Sequence, residues 1–136
     1  MRRIVYISGK YRHYFDDGSL DMEAMKMEVE DEQDWCRVVA EAGMMWVGPL
    51  SNSEFMEGED VIPSDAFVER DCELIARLKR DWDCLLLRPG WDDDPPSHGA
   101  TIELAAAQEA GLIVVHGLHG KDMVQHYLET LNGVAE

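Results

Sequence analysis

Two carboxylates, a hydroxyl and a phenol stand out from a heavily acidic chain: Glu103, Asp71, Ser97 and Tyr11. Ser97 opens a helical pattern that holds Glu103 near its start, and an N-terminal helix end favours bound anions. Asp71 falls on the apolar stripe of another helical pattern, where burying an unpaired carboxylate is costly. Such a set suits cleavage at an anomeric carbon. One carboxylate attacks or stabilises an oxocarbenium-like carbon while another group helps the leaving base take a proton. A glutamate can equally be a general base for water at that carbon. Carboxylates at strand ends serve many chemistries, and an Asp71 paired with a neighbouring arginine is the structural alternative.

The elements that must position these residues alternate in type. Ile4 to Ile7 reads as a short buried strand running into Ser8-Gly9-Lys10-Tyr11, with Gly9 allowing close backbone approach and Tyr11 placed to cover a ligand. The loop 12–20 carries His13, Tyr14 and Phe15, a ligand lid or a subunit contact. Asp21 to Ala42 is helical, with Met22, Met25, Val29, Cys36 and Val39 on one stripe, Glu32 interrupting it and an acidic run at 28–34 able to split it in two. Met44 to Val47 is a second strand. The long excursion from Leu50 to Ser64 holds Phe55 and Met56, a candidate apolar wall.

A helix capped by Ser64 or Asp65 runs to about Lys79 on Phe67, Leu74, Ile75 and Leu78. The strand core Leu85-Leu86-Leu87 then ends at Arg88, Pro89 and Gly90. Residues 98–110 form the most apolar helix, with Ala100, Glu103, Ala107 and Ala110 on one narrow face that can lie close to a sheet. Leu112 to Val115 is a fourth strand, and Asp122 caps a last helix packed through Met123, Val124, Tyr127, Leu128 and Leu131. The expectation is a single α/β domain over residues 1–136: an open parallel sheet of four to five strands flanked by helices, flavodoxin-like or Rossmann-like. A ligand would sit outside the carboxyl ends of the strands.

The 136 residues carry a formal net charge of -16, which argues against binding a nucleic acid polymer or an anionic membrane surface. A small anionic substrate would need a locally positive pocket, for which Arg12, Arg70 and Arg88 are candidates. The 3 cysteines, Cys36, Cys72 and Cys84, lack metal-ligand spacing and read as reduced core thiols, with Cys72 a weaker candidate nucleophile. Neither a signal peptide nor a membrane span fits the sequence, so a cytoplasmic location is expected. There is no GxGxxG and no P-loop pattern.

Tyr6-Ile7-Ser8-Gly9-Lys10, the stretch Arg70 to Leu78, and Leu86-Leu87-Arg88-Pro89-Gly90-Trp91 leading to Ser97-His98-Gly99-Ala100-Thr101-Ile102-Glu103 resemble the nucleoside 2-deoxyribosyltransferase-like superfamily. The likeness covers most of the chain apart from residues 12–34. It implies a flavodoxin-like sheet, no metal or organic cofactor, a nucleoside or nucleotide as the small-molecule partner, and a homo-oligomer. By motif, Glu103 would be the nucleophile, Asp71 would handle the base or proton transfer, and Gly9 with Tyr11 would meet the sugar. Ser97 stands where nucleotide-hydrolysing members contact the 5′-phosphate. Ser8, Lys10, Arg88, Gly90, Trp91, His98, Gly99 and Ala100 complete the implied binding set. Lys10 departs from the proline common in that first loop, and His98 adds a titratable group. The resemblance implies an N-glycosidase for nucleoside 5′-monophosphates, with base exchange or nucleotide binding without turnover as alternatives.

Overall fold

The computed structural model describes residues 1–50 and 64–135, so the expected wall at Phe55 and Met56 lies outside the described residues. Four strands form one parallel sheet: β1 (Ile4–Ser8), β2 (Met45–Val47), β3 (Cys84–Leu87) and β4 (Ile113–His116), in spatial order β2-β1-β3-β4. Helices α1 (Met22–Glu41), α2 (Ser64–Ala76), α3 (His98–Ala110) and α4 (Lys121–Asn132) connect and follow them, with a 3₁₀ turn at Gly117–His119 before α4. The expected α/β architecture is what the chain adopts.

Register explains why the strands are nearly all apolar. Val5 pairs with both Trp46 and Cys84, and Leu85 lies between Tyr6 and Val114, so β1 and β3 have strands on either side. Helices cover both faces. Val5, Ile7, Cys84 and Leu86 meet Trp35, Val38 and Val39 of α1 and Leu128 of α4. Tyr6, Leu85 and Leu87 meet Ile75 of α2 and Ala107 of α3. Alternate residues of one strand therefore serve opposite layers, as the pleat requires. Ala100 and Ala107 are fully buried, and these small side chains let α3 lie close to the sheet.

Several local expectations change. The acidic run does not break α1, which is continuous from its Asp21 cap, where Asp21 Oδ1 accepts the Ala24 N–H at 3.0 Å. Glu32, within that acidic run, is buried at 1% exposure. Met22, Leu74, Met123 and Tyr127 are exposed rather than packed inward, because each sits on the flank of its helix stripe, beyond the reach of the sheet. Asp122 is not the cap of α4. Gly120 is, and Asp122 sits in the first turn, where a carboxylate still suits the positive end of the helix.

The strand order places a switch point between β1 and β3. The chain leaves β1 to add β2 on one side and later returns to add β3 on the other. The loops after these two central strands diverge there, and an open α/β sheet forms its ligand crevice at that place.

Candidate functional site

A cleft of about 770 Å³ opens at the carboxyl edge of the sheet. Its lining comes from the end of β1 (Ser8 to Tyr14), the start of α3 (Ser97 to Gly99), α2 (Phe67, Val68, Asp71), α1 (Glu32) and the turn after β2 (Pro49, Leu50), with Glu103 also on the wall.

Glu103 is 7% exposed. It lies one and a half helical turns into α3, on the face carrying Ala100 and Ala107, which turns it toward β1. Tyr6 and Ser8, two residues apart on β1, point to that same layer. The Tyr6 hydroxyl donates to Glu103 Oε2, and the Ser8 hydroxyl donates to Oε1 at 3.0 Å. Both carboxylate oxygens are thus held by neutral donors. Asp71 flanks the same phenol from α2, and Arg70 Nη2 approaches its Oδ1 at 3.0 Å.

Burial dominates the electrostatics. It pushes the Glu103 carboxyl up to about 7, against the pull of the Tyr6 bond, with Asp71, then Glu32, adding repulsion. Burial also raises Asp71 from the ordinary carboxylate range, opposed first by Arg70. The Tyr6 phenol is pushed well above its usual range by burial, then by the charges of Glu103 and Asp71, so it acts as a donor at neutral pH. The thiols supply no competing nucleophile. Burial raises Cys72, lifts Cys36 to about 11 and lifts Cys84 to about 12, so each is protonated at neutral pH.

The start of α3 forms another wall. Ser97 is its N-cap, with Oγ accepting the Ala100 N–H at 3.2 Å. That bond takes the Ala100 amide, leaving those of His98 and Gly99 at the cleft. Ala100 itself is in the core. Lys10 donates to the Pro95 carbonyl at 3.0 Å, which holds the β1 loop beside this helix end. Tyr11 and Arg12 line the cleft, but the phenol bonded to Glu103 is that of Tyr6.

Three residues expected to bind substrate are placed elsewhere. Arg88 is 1% exposed and does not line the cleft. It donates to Glu28 at 3.0 Å, to Asp31 at 2.9 Å and to the Lys10 carbonyl at 2.8 Å. A Cβ at Gly9 would fall 2.6 Å from its Nε, so the close approach at Gly9 admits this guanidinium. Gly90 forms a turn at φ +90°. Trp91 packs on the layer beneath α3, and its carbonyl accepts the Ser97 N–H at 2.7 Å. These two shape the approach to the cap.

Sequence reasoning missed Tyr6 and Glu32. Tyr6 was read only as strand core, yet its spacing of two from Ser8 puts both on one side of the strand, a signal present in the sequence. Glu32 showed itself only as an interruption of an apolar stripe.

Among the described residues no group of three or more His, Cys, Asp or Glu side chains is arranged to hold a metal ion. No described helix is long and apolar enough to cross a membrane. No protein-family model and no curated protein matches the chain. The fold and cleft define an α/β protein with a poised, buried carboxyl at its switch point.

Proposed function

We propose that the protein hydrolyses the N-glycosidic bond of a nucleoside 5′-monophosphate, with Glu103 as nucleophile. The observation that carries this reading is Glu103 itself, a buried carboxyl with a hydroxyl on each oxygen and, among the described residues, no cation on either, at the wall of a nucleotide-sized cleft. A carboxylate in that setting is oriented for attack and poorly solvated, which favours bond formation to a cationic carbon. The amides of His98 and Gly99, the Ser97 hydroxyl and Lys10 would receive the 5′-phosphate at one end of the cleft.

In the first step ionised Glu103 forms a bond to the anomeric carbon as the bond to the base breaks. The electron pair leaves with the base nitrogen, and Asp71 acts as the general acid that supplies a proton to the base, a role favoured by the upward shift that burial gives its carboxyl. In the second step water adds to the same carbon and gives its proton to Asp71, and Glu103 leaves as a carboxylate. The sum is nucleotide plus water giving free base and sugar phosphate. The motif resemblance running from Leu86 to Glu103 supports the same assignment.

Incubation with purine and pyrimidine nucleoside 5′-monophosphates, ribo and 2′-deoxy, followed by chromatography for free base, tests the proposal. Release of base with sugar 5-phosphate is expected. Intact nucleotide after prolonged incubation would overturn it. Transfer of the sugar to an added acceptor base would replace hydrolysis with base exchange.

A further inference from the structure

The segment between β1 and α1 has no part in the chemistry above, yet Tyr11, Arg12, His13 and Tyr14 all line the cleft. It folds back on itself as a small hairpin. Tyr14 bridges Leu20 in antiparallel fashion, the Ser19 carbonyl accepts the Phe15 N–H at 2.8 Å, and Asp17 Oδ1 accepts the Ser19 N–H at 2.9 Å. His13, at the root of this hairpin, is fastened to α1 at two points. Its carbonyl accepts the N–H of Asp21, the α1 cap, at 2.8 Å, and its Nε2 meets Glu28 Oε2 at 2.6 Å. Glu28 lies about two helical turns beyond Asp21, on the same side of α1. Its other oxygen accepts from Arg88 at 3.0 Å, and Arg88 holds the Lys10 carbonyl at 2.8 Å. One side chain, Glu28, therefore ties down both the start of the segment and the root of the hairpin.

Tyr14 directly follows this anchor. It is 60% exposed although it stands at the cleft wall, so most of its ring surface is left for a ligand. Of the parts of a nucleotide, only the base has a flat unsaturated face to lay on a phenol ring. Resting on the nucleotide reading above, we infer that His13 is a positioning residue for substrate binding: its bond to Glu28 holds the hairpin so that Tyr14 offers its ring to the base. An imidazole with its proton on Nε2 donates to Glu28 whether the ring is neutral or charged, so the latch does not depend on the charge of His13. Both residues fall within 12–34, the stretch that the superfamily resemblance does not cover.

The test is calorimetric binding of ribo- and 2′-deoxynucleoside 5′-monophosphates, and of ribose 5-phosphate, which has no base. The protein is full-length Glu103→Gln, in which the nucleotide stays intact, alone and combined with Tyr14→Ala, His13→Ala or His13→Gln. Tyr14→Ala should weaken the tightest nucleotide by about tenfold or more and leave ribose 5-phosphate unchanged. His13→Ala should show most of the same loss, through the loosened hairpin. His13→Gln, whose amide nitrogen falls close to the place of Nε2, should recover most of it. An unchanged nucleotide affinity in Tyr14→Ala or in His13→Ala would overturn the inference while leaving the glycosidase reading standing. So would an equal loss for ribose 5-phosphate, or a loss that His13→Gln does not reduce. Failure of every nucleotide to bind Glu103→Gln would overturn both. Tyr14 is an exposed side chain, so its comparison holds even where a substitution at His13 disturbs folding.

Discussion

Two buried ionisable clusters lie at the carboxyl ends of β1 and β3, and they are built on opposite plans. Around Arg88 one cation meets two carboxylates, Glu28 and Asp31, and a carbonyl. Around Glu103 a carboxyl meets two neutral hydroxyls, and the nearest charges named above are negative. The first plan compensates its charge and ties the β1 loop, α1 and the end of β3 together. The second leaves the charge uncompensated, so that it shifts toward the protonated form. Burial is common to both; what sets Glu103 apart, among the described residues, is burial without a counter-charge at the wall of a cleft.

The largest effect should separate the clusters by activity. Glu103→Gln should lower base release by on the order of 10⁴-fold, since the amide cannot attack the sugar. Folding should survive the change, as followed by circular dichroism. Residual activity within tenfold of the wild type would remove the distinction.

Arg88→Ala should act on stability instead. It takes the guanidinium from Glu28 and Asp31, leaving them His13 at 2.6 Å and Lys121 at 3.8 Å, and opens a cavity beneath Gly9, a loss of about 3 kcal/mol or more in urea unfolding. A loss under about 1 kcal/mol would show that the cluster ties nothing together.

The pH dependence of stability should sharpen the contrast. An ordinary glutamate value of 4.5 rises to about 7 in the folded protein. Between those values the unfolded chain has released a proton that the folded chain keeps. Stability should therefore fall as pH rises from about 4.5 to about 7, by up to a few kcal/mol, and the raised Asp71 adds in the same direction. Denaturant midpoints across this range should show the decline, and Glu103→Gln should flatten most of it. A wild-type stability that rises over the same interval would contradict the burial of an uncompensated carboxyl.

Tyr6→Phe should produce a smaller change, about 10²-fold in base release, as for the loss of one preorganised donor. An unaltered rate would mean that Ser8 alone suffices to hold the carboxylate.

The layered sheet was legible because Ile4 to Ile7 and Leu85 to Leu87 are apolar runs and Gly111 and Ala42-Gly43 stop helices where the structure ends them. Asp71 and Glu103 were legible as polar breaks in apolar faces, and the fold brings both to Tyr6. Arg88 was misplaced because sequence shows only that a cation follows a strand. Its direction depends on Glu28 and Asp31, 60 and 57 residues away. The choice between Tyr6 and Tyr11 likewise depends on how closely α3 approaches β1, which Ala100 and Ala107 permit but do not announce. Glu32 required knowing that α1 reaches across the end of β1 to the turn after β2.

The pH profile of kcat/KM for base release, in the wild type and in Tyr6→Phe, tests the role of Glu103 most directly. The rate should rise as Glu103 ionises, with that limb ending at about 7, and fall again at higher pH as Asp71 loses the proton it gives to the base. In Tyr6→Phe the rising limb should move to higher pH, because the lost hydroxyl bond favours the ionised carboxylate. A rate that falls through the same interval, or a limb that Tyr6→Phe leaves in place, would contradict Glu103 as the nucleophile.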